Sequence, residues 1–299
     1  MIISVVNHTD GEVADDELQR VIRAINRQIK EDFEPYWSLG ATLRLEGRST
    51  EEPTHLSLPD LRGDAILYLW NKLDPDGALG YHERNADGIP YGFVFTPLSK
   101  QLGEHWSITL SHEALELIAD PEVNLLVMGP HPDDRRRMVF HWYEMSDAVQ
   151  DETYTIDGVE VSNFVLPLYF TKNNEKGARN DFLGTLTKGE TLRSFGVNPG
   201  GYIGFYDPRH KKHGTFARDH DERAKERMEI KGKAALARRS MRYKNFDSVA
   251  LEGKFRRPTT AGAAAKPVTS KPRSKKSARK KSTGKKPGTR KPRRKSPRR

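Results

Sequence analysis

Residues Ser111–Pro121 read SHEALELIADP, and this stretch contains His112, Glu113 and Glu116. On a helix, residues four apart project from one face, one turn above the other, so His112 and Glu116 can hold a single metal ion. Glu113 points about 100° round the helix from His112, where a carboxylate can take the proton of an attacking water molecule without binding the metal. The spacing is that of the H-E-x-x-H helix, with glutamate in place of the second histidine. We therefore expect a metal-site helix with Glu113 as its catalytic residue.

The neighbours of these residues support a short amphipathic helix. Pro121 disfavours helical backbone at Asp120, so the helix should end just past the motif. The same pattern also suits a surface helix whose His and Glu side chains face water, and this alternative stays open. The apolar side of the helical wheel is formed by four residues, Leu110, Ala114, Leu117 and Ile118.

Several regular elements are predicted upstream of the motif. A helix should begin at Asp15 or Asp16 and run to about Glu31, because apolar residues recur there at helical spacing. Runs of alternating or continuous apolar residues predict four strands, over Ile2–Val6, Ala41–Leu45, Ala65–Trp70 and Tyr91–Phe95.

This order of strand, backing helix, further strands and an H-E-x-x helix resembles the N-terminal subdomain of zincin metallopeptidases of the gluzincin type. Three further segments resemble a group of uncharacterised zincin-like bacterial and phage-type proteins: LGYH (Leu79–His82), PYGFVF (Pro90–Phe95) and EMSDAVQDETYTIDGVEVSNFV (Glu144–Val165). The resemblance covers about residues 1–170. It implies an α+β, zincin-like mixed sheet with a backing helix and a metal-site helix. It also implies a protease-like site, with Tyr91–Phe95 as the edge strand that would hold extended substrate, but it does not identify the peptide or protein substrate.

A zinc site needs a third protein ligand, and the best source is the segment Met138–Asp147. As a continuous strand it would place Glu144 on an aromatic face, where an unpaired carboxylate is costly and a cation would be its partner. The gluzincin resemblance also implies a downstream glutamate ligand. Glu144 is therefore the first choice, and the reserves are Asp147, Asp120 and His141. Alternatively, Glu144 is exposed or paired with one of the arginines at 135–137.

One histidine and two carboxylates donate more negative charge than the usual zinc ligand set. The metal is expected to be Zn²⁺, with Mn²⁺ also accepted because the ligands are rich in oxygen. Catalysis should be slow or absent if the ion is a weak Lewis acid. Tyr81, His82 and Tyr143 are candidates to stabilise an oxyanion, or simply pack in the core.

The C-terminal segment Pro258–Arg299 contains 17 Lys and Arg and no acidic residue, among mostly Pro, Ala, Gly, Ser and Thr. Such a segment cannot bury enough apolar surface to offset its ordering entropy, which predicts disorder. The whole chain has 51 basic and 41 acidic residues, net +10, whereas residues 1–257 have 34 and 41, net −7.

This segment resembles the basic tails of linker histones and of bacterial histone-like proteins. Lys and Arg neutralise phosphates and release counterions, which predicts nucleic-acid binding without sequence preference. The alternatives are an anionic membrane surface, an acidic partner or simple solubilisation of the chain. The residues expected to contact nucleic acid are Lys275, Lys276, Arg279, Lys280, Lys281, Lys285, Lys286, Arg293, Arg294 and Lys295.

These features together predict a metal-binding domain over residues 1–250, with a core at 1–170 and an extension at 171–250, followed by a disordered basic tail at 251–299. Asp157–Gly158 favours a hairpin between Tyr154–Ile156 and Val159–Val165, and Asp221–Arg242 reads as a charged helix.

The chain has no cysteine, no secretory leader pattern and no long apolar stretch. It is therefore expected to be cytoplasmic, without a transmembrane segment. Two function classes follow: a zinc peptidase-like hydrolase tethered to nucleic acid by its tail, or a non-catalytic nucleic-acid-associated or structural protein with a zincin-like fold.

Overall fold

The computed structural model describes residues 1–74, 78–172, 178–186 and 189–218. It confirms the α+β class: the described residues form a five-stranded mixed sheet, a four-stranded antiparallel sheet and a two-stranded hairpin, together with several helices. The predicted basic tail, its ten nucleic-acid residues and the predicted helix over Asp221–Arg242 lie outside the described residues. Within the described part of the chain, no helix is long and apolar enough to cross a bilayer.

The first sheet positions the site, and its strands follow the order β2-β1-β3-β5-β4. The inner neighbours pair in parallel, whereas β4 at one edge runs antiparallel to β5. All four predicted strands are present to within two residues at each end. The five strands are β1 (Ile2–His8), β2 (Thr42–Glu46), β3 (Ala65–Trp70), β4 (Gly80–Arg84) and β5 (Pro90–Phe95).

The predicted edge strand is wrong, because β5 lies between β3 and β4 and the edge strand is β4. A tight turn joins β4 to β5, in which Asn85 Oδ1 accepts hydrogen bonds from the backbone N–H groups of Asp87 and Ile89. In the sequence, Asp87, Gly88 and Pro90 indicate a turn just before β5. They do not show that this turn closes a hairpin with β4, because that depends on which strand β5 pairs with.

Two helices cover the same face of this sheet. Helix α1 (Asp15–Arg27) is followed by a π-helical segment, Gln28–Phe33, and by the single-turn helix α2 (Glu34–Trp37). The helical path therefore extends beyond the predicted end near Glu31. The apolar stripe of α1 packs with α4 (Trp106–Ala119) and with the β1 and β3 residues Ile3, Val5, Leu67 and Leu69 in one core.

Helix α4 is the predicted metal-site helix, and it follows β5 after the short helix α3 (Thr96–Leu102). The His105 side chain caps its N-terminus by accepting a hydrogen bond from the Ser107 N–H. The helix ends at Ala119, as expected from Pro121. It packs against β4 and β5 on one side and β9 on another. Nearly all its side chains are buried, so the alternative of a surface helix is wrong.

The hairpin packs on α4 through β9, and a second sheet is formed by strands from the C-terminal half of the described residues. The hairpin turn at Asp157 and Gly158 has φ angles of 51° and 79°, which confirms the predicted primed-type turn. The predicted single strand over Met138–Asp147 is wrong in its second half, since it ends at Trp142. Strands β10 and β11 were not predicted. The six strands are β6 (Leu126–Pro130), β7 (Met138–Trp142), β8 (Thr153–Ile156), β9 (Val159–Ser162), β10 (Tyr202–Asp207) and β11 (Lys212–Ala217).

Candidate metal centre

The three motif residues of α4 lie in the interior of the protein. Glu113 and Glu116 are 5% and 3% exposed, and the His112 side chain is 12% exposed. As expected for positions four apart, His112 Nε2 lies 3.3 Å from Glu116 Oε2. The helix thus presents one imidazole and two carboxylates to the space enclosed by β4 and the segment that follows β7.

Asp147 completes the first ligand group, together with His112 and Glu116. Asp147 Oδ1 lies 3.3 Å from His112 Nε2, and all three ligand atoms lie within 4.8 Å of one another. Zinc bonds of about 2.0–2.2 Å in a tetrahedron place neighbouring ligand atoms roughly 3.3–3.6 Å apart. The two 3.3 Å distances therefore match the spacing that a tetrahedral ion requires.

A second ligand group forms round His82 on the edge strand β4. His82 Nδ1 lies 3.1 Å from Glu113 Oε2 and 3.7 Å from Glu116 Oε2, and this buried group could also hold a metal ion. His82 pairs with Gly92 on the sheet face that carries Leu67, which is the face that packs on α4. Alternation along the strand therefore directs His82 towards the helix.

Gly80 brings β4 close enough for His82 to reach the helix. A Cβ atom at this position would lie 2.6 Å from Thr109 Cγ2 and 3.0 Å from Glu113 Oε1. Any side chain there would force β4 and α4 apart. The contact between His82 and Glu113 thus depends on a glycine two residues before the histidine.

Glu144, the predicted third ligand, faces His82 instead of His112. Its Oε2 lies 3.7 Å from His82 Nε2, whereas the other ring nitrogen of His82, Nδ1, contacts Glu113. The chain leaves the second sheet at Trp142 and enters a 3₁₀ turn at Asp147–Val149. That turn delivers Asp147, the first reserve residue, to the position expected for Glu144.

The other two reserve residues are engaged elsewhere. The Asp120 carboxylate accepts hydrogen bonds from the backbone N–H groups of Asn124 and Leu125 and so closes the turn after α4. Burial raises the pKa of Asp120. His141 Nε2 donates to the Pro130 carbonyl at 2.9 Å within the second sheet, and burial lowers the pKa of this imidazole to about 4.

The two tyrosines considered for an oxyanion site belong to aromatic clusters. Tyr81 packs against Tyr91, Phe93 and Phe95 on the far face of the first sheet. Tyr143 packs against Trp37 and Phe170. His82, suggested beside them, is the one of the three that reaches the carboxylates. Its place in a ligand group was missed because neither β4 nor its pairing was predicted.

Electrostatics favour a positive charge at the centre. Burial, together with the neighbouring carboxylates of Asp147 and Glu144, raises the pKa of Glu116 to about 7, against the opposing effect of His112. Burial alone would lower the pKa of His112, but Glu116 and Asp147 raise it well above its ordinary value. His82 shows the same balance, with Glu113 and Glu144 raising its pKa. Protons on the histidines thus neutralise the carboxylates, and a divalent ion could replace them.

Backbone contacts hold the central carboxylate in place. The Ser146 N–H donates to Glu116 Oε1 at 3.0 Å, which leaves Oε2 directed at both histidines. Such outer contacts orient metal ligands.

In comparisons with protein-family models, curated proteins and solved structures, nothing matches this chain.

Proposed function

We propose that this protein is a metal-dependent hydrolase of the zincin type that cleaves peptide bonds. The observation that carries the proposal is the first ligand group, His112, Glu116 and Asp147, with its two 3.3 Å ligand separations and a glutamate next to the first ligand. Three protein ligands leave one coordination position open for water or substrate, as catalytic zinc sites require.

The expected ion is Zn²⁺, with Mn²⁺ as an acceptable substitute because two of the three ligands are carboxylates. When bound, such an ion would polarise a substrate carbonyl and make water more acidic. His112 is the most exposed ligand of the group, so substrate should approach from its side.

Glu113 is assigned the proton transfer. Its Oε2 accepts from His82 Nδ1 at 3.1 Å in the protonated form of the imidazole, which fixes the carboxylate beside the first ligand group. As a general base it takes a proton from water and returns it to the leaving amine. His82 is a positioning residue in this scheme, since it orients the base.

The edge strand β4 supports a peptide as substrate. Within the described residues it pairs on one side only, with β5, and an unpaired strand edge can bind an extended peptide through main-chain hydrogen bonds. In zincins an edge strand holds the substrate beside the active helix. Here β4 packs directly on α4 and carries His82, so it takes the role first expected of Tyr91–Phe95.

The test compares two substitutions on α4. Glu113→Gln should abolish cleavage of a quenched-fluorescent peptide library but retain the ion and the fold, because an amide cannot accept the proton. His112→Ala should lose the ion of the first ligand group. Metal analysis, circular dichroism and turnover are measured on both variants and the wild type. Equal turnover by wild type and Glu113→Gln would contradict the assignment.

A second candidate function rests on the composition of the tail. Its 17 basic residues without an acidic one favour nucleic-acid association, either as a tether for the hydrolase or as the main role of a non-catalytic protein. Turnover that is absent from a metal-loaded wild type would favour the non-catalytic role.

A further inference from the structure

We infer that the chain binds a second divalent ion between His82, Glu113 and Glu116, and that Glu116 bridges it to the ion of the first group. The inference rests on the proposed function for the first ion only. The second group is the more deeply buried, with exposures of 2%, 5% and 3% for its three residues. Its ligand atoms lie within 4.8 Å of one another, as those of the first group do.

The bridge is made through a single oxygen atom. Glu116 Oε1 is occupied by the Ser146 N–H, whereas Oε2 lies 3.3 Å from His112 Nε2 and 3.7 Å from His82 Nδ1. The two histidines thus reach the same oxygen but belong to different ligand groups. One ion cannot take all the ligand atoms of both groups, whereas two ions sharing Oε2 use every one of them.

An independent pointer comes from the second nitrogen of His82. His82 Nε2 is buried and makes no hydrogen bond within the described residues, and Glu144 Oε2 lies 3.7 Å away. A histidine that ligates a metal through one nitrogen usually directs its other N–H at a carboxylate, which orients the ring and raises its basicity. With Nδ1 as ligand and Nε2–H directed at Glu144, His82 has this arrangement. Glu144 then orients the His82 ring without binding the second ion itself.

The second ion has a consequence for the reaction, because Glu113 is the general base of the proposed hydrolysis and also a ligand of the second ion. With one ion bound, the Glu113 carboxylate is available for proton transfer. With the second ion bound, Glu113 Oε2 is a ligand and no longer a base. Hydrolysis should therefore be greatest near one equivalent of metal and fall as the second equivalent binds.

Calorimetric titration of the full-length, chelator-treated protein with Zn²⁺ and with Mn²⁺ tests the inference. Wild type should bind two equivalents, and His82→Ala and His112→Ala should each bind one. His210→Ala is the matched control, since His210 also pairs with a carboxylate, that of Asp207, but lies in neither group. It should still bind two equivalents. The bridged pair would be overturned if the wild type bound only one equivalent. It would also be overturned if His210→Ala were the only variant to lose the second equivalent.

Electron paramagnetic resonance of the wild type supplies a readout that needs no variant, in case His82→Ala does not fold. Two Mn²⁺ ions that share Glu116 Oε2 should give an exchange-coupled spectrum at two equivalents. Two independent six-line spectra would refute the bridge. Peptide turnover at one equivalent is recorded separately, so that a failure of the hydrolase proposal is distinguished from a failure of the second site.

Discussion

Asp147 and Glu144 lie three positions apart, and their carboxylates meet different histidines. Asp147→Asn should weaken binding of the first ion by more than the roughly 10–100-fold typical of outer contacts, because it removes a ligand that lies 3.3 Å from His112. Glu144→Gln is the matched control and should leave the first equivalent largely intact. Calorimetry at one equivalent of Zn²⁺ measures both. The reverse ranking would restore Glu144 as the ligand.

His141 should make stability depend on pH. Burial lowers the pKa of its imidazole to about 4 in the folded protein, against about 6.5 in an unfolded chain. The unfolded state therefore binds more protons between these values, and the free energy of unfolding falls as pH drops through this window. From pH 7 to pH 5 the loss attributable to His141 should be about 2 kcal/mol.

Urea unfolding of wild type and His141→Gln at pH 7 and pH 5 isolates this contribution. Glutamine can still donate to the Pro130 carbonyl, as His141 Nε2 does, but it does not titrate. The variant should lose less stability than wild type on acidification. His8 and His131 also have lowered pKa values. His8 should act equally in both proteins, whereas His131 also lowers the pKa of His141 through its charge. Parallel losses in the two proteins would remove His141 as a cause.

At the scale of elements, Gly80 determines how closely β4 packs on α4. Gly80→Ala places a Cβ 2.6 Å from Thr109 Cγ2, so it should destabilise the fold by about 1–3 kcal/mol and weaken binding at His82. Gly47→Ala meets nothing within 4 Å and is the matched control. Thermal unfolding and metal titration measure both effects.

A second substitution separates crowding from other effects of the alanine. Thr109→Ser removes the Cγ2 methyl group that the new Cβ would meet first. The double variant Gly80→Ala/Thr109→Ser should therefore recover part of the lost stability. If the two losses simply add, the close approach of β4 and α4 is not the cause.

Elements with a local signal could be predicted from the sequence. Ala65–Trp70 is a compact apolar run, α1 has helical spacing, and Asp157–Gly158 encodes a tight turn, and each forms where expected. Strand β10 pairs with β7, some sixty residues earlier in the chain, and β11 joins the sheet by pairing with β10. Pairing over that distance leaves no local pattern.

The same distinction applies to the site. His112, Glu113 and Glu116 share one helix, and their spacing alone brought them together in the prediction. His82 depends on the hairpin of β4 with β5, and Asp147 depends on where β7 ends. Both require knowledge of the tertiary structure. The segment Met138–Asp147 supplies the nearby carboxylate of Asp147, whereas a continuous strand through this segment would have favoured Glu144.

At the scale of the whole molecule, the composition divides the chain into an acidic part and a basic part. Deleting Pro258–Arg299 changes the net charge from +10 to −7. The truncated protein should lose most nucleic-acid affinity, and its thermal transition should stay nearly unchanged. In the full-length chain, affinity should fall steeply with salt and differ little between DNA sequences.

Gel-shift titrations at low and high salt, run on both proteins with two unrelated duplexes, decide the matter. A scrambled tail of identical composition is the control, since counterion release depends on charge and not on order. Undiminished binding by the truncated protein would place the nucleic-acid surface within residues 1–257.

The two ligand groups draw on three segments that are distant along the chain: His82 on the edge strand, residues 112–116 on α4, and Asp147 beyond the second sheet. The chain has no cysteine and so no disulfide bond. Ions bound by these groups would cross-link the chain and close loops of about thirty residues, as disulfides do in secreted domains. The candidate metal centre would then also hold β4, α4 and the segment after β7 together, and a chelator would lower the free energy of unfolding as well as remove the ions.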